Sequence, residues 1–138
     1  MVRTLEEIEM DDKTKIRLKY IFFEEDWTPV EFFSSTLSIF WGMWLIAFTD
    51  FDQSISYSAM QGIAPEGYWG LAMMLIGITH LYSLFQENIK RRKLTMLLIT
   101  SAWIFILTMF VISNHTTTGV PTYLMIAIFS FWAYARIR

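Results

Sequence analysis

Residues 94–113 read LTMLLITSAWIFILTMFVIS, twenty positions without a formal charge. A helix of that length covers the roughly 30 Å of hydrocarbon in a bilayer. A helix of a water-soluble bundle would keep a polar face about half its width, and this segment has none. Three other stretches have similar character: 30–49 (VEFFSSTLSIFWGMWLIAFT), 68–85 (YWGLAMMLIGITHLYSLF) and 118–135 (TGVPTYLMIAIFSFWAYA). Pro29 and Pro121 sit where a first helical turn tolerates a missing amide hydrogen. With 54% hydrophobic residues in 138, the chain is too apolar for an ordinary soluble domain. The pattern predicts an all-α integral membrane four-helix bundle with spans near 30–49, 68–85, 94–113 and 118–135.

The basic residues give this bundle an orientation. All eleven fall in three places: Arg3, Lys13, Lys15, Arg17 and Lys19 before the first span, Lys90, Arg91, Arg92 and Lys93 between the second and third, and Arg136 and Arg138 after the fourth. The segment 50–67 and the turn 114–117 have none, while Asp50, Asp52 and Glu66 lie in the former. Cytoplasmic segments retain Lys and Arg, so four spans with both termini in the cytoplasm is the simple topology that fits. A multi-pass protein of a bacterial inner membrane is the expected setting. Trp27, Tyr82, Phe85, Trp132 and Tyr134 then mark the inner interface, and Tyr57, Tyr68, Trp69 and Tyr123 the outer one.

Residues 1–28 carry eight acidic and five basic side chains and lack the short apolar core of a secretory signal, so no cleavage is expected. They read as a separate amphipathic segment ahead of a transmembrane domain spanning 29–138. Asp11 or Asp12 would cap a helix that places Ile16, Tyr20, Phe23 and Trp27 on one face. Such a helix either lies in the membrane interface, with its lysines and arginine toward lipid headgroups, or extends the first span and packs on the bundle.

On the first span, Glu31, Ser34, Ser35, Ser38, Gly42 and Thr49 follow at offsets 3, 4, 7, 11 and 18 and share one sector of the helix. Lipid satisfies none of these polar groups, so the stripe should form a packing seam against other helices or line a pore. Glu31 stands beside Asp26 at the cytoplasmic entrance, where it needs no burial, and that position argues against a proton-coupling role. His80 is the ionisable side chain placed well inside a span. The two readings are a neutral histidine bonded to a hydroxyl, from Thr79, Ser101 or the first-span serines, and a proton relay. The compact turn Lys90, Arg91, Arg92, Lys93 reads as a topological anchor that also attracts anionic lipid headgroups, at about 1 kcal/mol per residue.

Seven-residue pairs of small side chains, Gly70 with Gly77, Thr95 with Ala102 and Ser101 with Thr108, predict left-handed packing seams. Asn114-His115-Thr116 matches the glycosylation acceptor pattern, but so short a turn should lie too near the membrane for modification. The segment 50–67, with Gly62, Pro65 and Gly67, reads as a loop.

With no cysteine, the chain has no disulfide, thiolate ligand or cysteine nucleophile. No HExxH, GxSxG or phosphate loop occurs, and no carboxylate pair faces another across spans, so neither an enzyme nor a metal or cofactor site is expected. A net charge of −2 gives no reason to expect nucleic acid. The expected partners are the lipid bilayer and either further copies of the chain or another membrane protein. The leading expectation is a non-enzymatic scaffold or accessory subunit of a membrane complex. A pore former, such as a phage-type holin or membrane-acting immunity effector, is the alternative. A small dimeric transporter is the third reading: the chain resembles the small multidrug exporters in span count and size. Their pattern places a carboxylate deep in the first span, whereas here Glu31 is at its entrance.

Overall fold

The computed structural model describes residues 28–48, 55–86, 88–113 and 119–137. The amphipathic segment 1–27, Thr49, the Asn114-His115-Thr116 site and Arg138 lie outside them. Among the described residues all regular structure is helical: α1 (Thr28–Phe48), a 3₁₀ turn (Ile55–Tyr57), α2 (Ser58–Gln61), α3 (Glu66–Phe85), α4 (Ile89–Ile112) and α5 (Gly119–Arg136). Three of these, α1, α3 and α4, are long and apolar enough to cross a membrane, which marks the chain as a membrane protein.

Helix α4 begins five residues before the apolar run, because the Asn88 side chain caps it by accepting a hydrogen bond from the Arg91 amide at 3.1 Å. The whole basic turn is thereby drawn into the first helical turns. Residues 55–67 also differ from a plain loop. Their 3₁₀ turn and α2 bring Met60 to full burial, and the Trp69 indole donates to the Ala64 carbonyl at 2.9 Å, pinning the connection over α3.

The four long helices touch in the cyclic order α1, α3, α4, α5. Neighbours run antiparallel: Gly42 of α1 meets Gly70 of α3 while Ser35 meets Gly77, and the Ser34 and Ser130 hydroxyls pair α1 with α5 at 3.3 Å while Trp41 and Tyr123 meet further along. Helices α1 and α4 lie diagonally and run parallel, joined by Glu31 to Arg92 and Ser38 to Trp103.

Glycine makes the closest of these approaches. A β-carbon on Gly70 would stand 2.6 Å from the Gly42 carbonyl oxygen, and one on Gly77 2.7 Å from that of Ser35. The seams behave differently from one another. Gly70 and Gly77 are buried on α1, and Thr95 is buried with Ala102 half-buried, but Ser101 and Thr108 are exposed on the outside of α4. Their hydroxyls donate to the carbonyls of Leu97 and Ile104 one turn back, and Thr36 and Thr79 do the same on α1 and α3. Each exposed hydroxyl is thus satisfied within its own helix, which suits a lipid-facing surface.

The core centres on Trp103, which is fully buried. Its ring meets Trp41 edge-on at 5.5 Å and stacks on Tyr123 at 5.7 Å, and Phe110 continues the cluster to Tyr57. Burial, followed by the neighbouring Tyr123 phenol, pushes the Tyr57 hydroxyl well above the ordinary tyrosine value. An unfolded tyrosine ionises near pH 10. Because the folded value is the higher one, Tyr57's contribution to stability is complete below about pH 10 and falls as pH rises through the folded value. Phenolate absorbance on alkaline titration should lose its latest-titrating component in Tyr57→Phe.

Candidate functional site

Four side chains from three helices meet at one end of the molecule. Glu31 lies in the first turn of α1, where a helix N-terminus favours a carboxylate. Arg92 lies in the first turn of α4, where the same field disfavours a cation, so its position depends on a partner. That partner is Glu31: Arg92 Nη2 donates to Oε1 at 2.6 Å and Nε to Oε2 at 3.1 Å, a two-pronged pair. Nη2 also reaches the Thr28 hydroxyl at 3.4 Å. The Glu31 side chain is 2% exposed and that of Arg92 17%.

His80 of α3 completes the cluster and is fully buried. Its Nδ1 is 2.7 Å from the Thr95 hydroxyl of α4. Its Nε2 makes no hydrogen bond and faces Glu31 Oε2 at 3.5 Å. The Thr95 hydroxyl is also within reach of the Arg91 carbonyl at 2.8 Å and the Arg92 carbonyl at 3.3 Å. Having one hydrogen, it donates to one of these groups at a time.

Several sequence expectations change here. Glu31 is buried, not at a wetted entrance, because Arg92 supplies its counter-charge and two donors. Arg92 points inward to Glu31, while Lys90, Arg91 and Lys93 are exposed, with Arg91 bonded to Gln86 at 3.0 Å. His80 bonds Thr95, since Thr79 and Ser101 lie on outward faces. A signal for Arg92 was present in its register. It lies four residues before Met96, and the buried series continues through Ile99, Trp103, Ile106 and Phe110 at alternating steps of three and four.

The rest of the α1 stripe runs inward from this cluster. Ser34, Ser35, Ser38 and Gly42 are all buried. Ser35 donates to the Glu31 carbonyl at 2.7 Å and Ser38 to that of Ser34 at 2.8 Å, leaving the Ser38 oxygen to accept the Trp103 indole hydrogen at 3.2 Å. Trp103→Phe removes that bond and part of the ring from a fully buried position. It should lower stability by about 1–2 kcal/mol, measured as the loss of folded protein in a denaturing-detergent titration.

Elsewhere, a groove of about 470 Å³ between α3 and α4, roofed by Met60 and walled by Trp69 and Phe105, is almost wholly apolar and offers no reactive group. Among the described residues no three His, Cys, Asp or Glu side chains stand close enough to share a metal ion. No family model matches the chain, and no curated protein or solved structure proves similar to it, so its role has to be read from its own side chains.

Proposed function

We propose that this chain is a non-enzymatic integral membrane subunit that crosses the bilayer four times, with both ends in the cytoplasm. On this reading it serves as an oligomerising scaffold or as an accessory component of a membrane complex. Helix α5 is the fourth span. Its exposed Leu124, Met125, Ile128, Phe129 and Phe131 present the apolar face a lipid-embedded helix needs. The alternating helix directions bring the basic turn and the end of α5 to one side, as the positive-inside pattern requires.

The observation that carries the scaffold reading is the use of the α1 polar stripe within the chain. Ser34 meets Ser130, Ser38 meets Trp103 and Gly42 meets Gly70, contacts that support a packing seam over a channel lining. A pore assembled between copies would need a polar outer face. The outer face of α1 instead carries Phe33, Phe40, Trp44 and Phe48, a ridge at offsets of seven, four and four that suits a helix of another membrane protein.

Crosslinking in native membranes followed by identification of the adducts tests this directly, with membrane potential followed during induced expression. A defined homo-oligomer or a constant partner, together with an unchanged potential, is the expected outcome. A monomer without partners, or collapse of the potential, contradicts it.

A further inference from the structure

We infer that His80 is the proton-binding element of a latch in which Glu31 exchanges partners, held by Arg92 of α4 when the imidazole is neutral and by His80 of α3 when it is charged. The inference concerns how the buried cluster responds to protons and does not depend on which partner the chain serves.

The proton arrangement follows from donor counting. When the Thr95 hydroxyl donates to Nδ1, the ring is neutral with its hydrogen on Nε2, facing Glu31. When the hydroxyl turns to the Arg91 carbonyl, its oxygen accepts from Nδ1, so Nδ1 must carry a hydrogen. A neutral ring in that second arrangement would set the bare Nε2 lone pair 3.5 Å from a carboxylate oxygen, an electrostatic conflict. The two arrangements without conflict are therefore the neutral ring with Nε2–H and the imidazolium. They differ by one proton on Nδ1, taken from water, and by rotation of one hydroxyl. No heavy atom has to move for the proton to bind.

The consequence falls on Glu31 Oε2, which Arg92 Nε already occupies at 3.1 Å. A charged His80 competes for that oxygen and sets a second positive charge beside Arg92 in a largely buried site. Two cations sharing one buried carboxylate oxygen repel each other more strongly than they would in water. Arg92 is the member with an outlet, because its side chain is the partly exposed one. Its release exchanges an α1–α4 tie for an α1–α3 tie. Among the described residues, the charged and titratable groups that face His80 are Glu31 from α1 and Arg92 from α4. On α3 itself Tyr82 lies on the exposed side, bonded to Gln86. Helix α5 brings Tyr134 and Arg136 to the same end.

Two measurements on the full chain in lipid nanodiscs test this. Imidazole ¹⁵N spectra of histidine-labelled protein, with His115→Asn used to assign His80, should pass from one neutral tautomer to the imidazolium pattern on acidification. Spin labels at the exposed positions Phe33 on α1 and Leu94 on α4 should give a distance distribution that lengthens in acid. His80→Gln should lose that shift. A ring that stays neutral throughout, a distance that does not respond to acid, or a response that survives in His80→Gln overturns the latch. The ¹⁵N result stands even where the variant fails to fold.

Discussion

Arg92→Ala should destabilise the folded protein by about 3–5 kcal/mol, because it leaves the Glu31 carboxylate buried with no counter-charge. The loss should exceed by far that of Arg91→Ala, whose side chain is exposed and bonded to Gln86, where about 0–1 kcal/mol is the expected scale. The penalty comes from the stranded charge and not from the pair itself, so Glu31→Gln combined with Arg92→Gln should recover most of it. Steric-trapping or denaturing-detergent measurements on Glu31→Gln, Arg92→Gln and the double variant form the required cycle. Equal losses for Arg91→Ala and Arg92→Ala would mean that the basic turn acts only as a surface anchor.

Gly70→Ala should also be destabilising, against the usual trend for helices. In an open position alanine favours a helix over glycine by up to about 1 kcal/mol. At Gly70, however, the added carbon meets the Gly42 carbonyl oxygen at 2.6 Å and the Ile46 side chain at the same distance. The carbonyl belongs to the backbone of a packed helix and moves only if α1 and α3 separate. Overpacking of this kind costs about 1–3 kcal/mol, which outweighs the propensity gain. Gly67→Ala is the control, since nothing lies within 4 Å of its added carbon, and it should be neutral or stabilising. The same detergent titration reads both signs. Stabilisation by Gly70→Ala would rule out the close α1–α3 approach.

The chain's helical, membrane-crossing character was legible because hydrophobic length is a direct physical requirement of the bilayer. The stripe of Glu31, Ser34, Ser35, Ser38 and Gly42 was legible because small and polar residues at helical spacing leave one face that lipid cannot serve. Its occupants across the seam were not, because a single helix's periodicity reports which side turns inward and says nothing of what stands opposite. For that reason Thr95 could not be picked out as the partner of His80 from among several nearby hydroxyls. Arg92 was overlooked for a different reason: four consecutive cations read as one anchor, although its spacing from Met96 puts it on the buried face once α4 extends back to Ile89. The burial of Glu31 was missed with it, because Arg92 is the partner that satisfies the carboxylate. Ser101 and Thr108 show the reverse error, in which seven-residue spacing suggested a seam but the hydroxyls had internal acceptors on a lipid-compatible face.

The polar stripe of α1, from Ser34 to Gly42, packs against helices of its own chain. The absence of cysteine gives a clean background for testing it. Single cysteines at Ser34 and Ser38, treated in intact membranes with a charged, water-soluble thiol reagent from either side, should remain unlabelled until the protein is denatured, while a cysteine at exposed Lys93 labels readily. Rapid labelling of Ser34→Cys and Ser38→Cys in the folded protein would show a water-lined path along α1 and contradict the account.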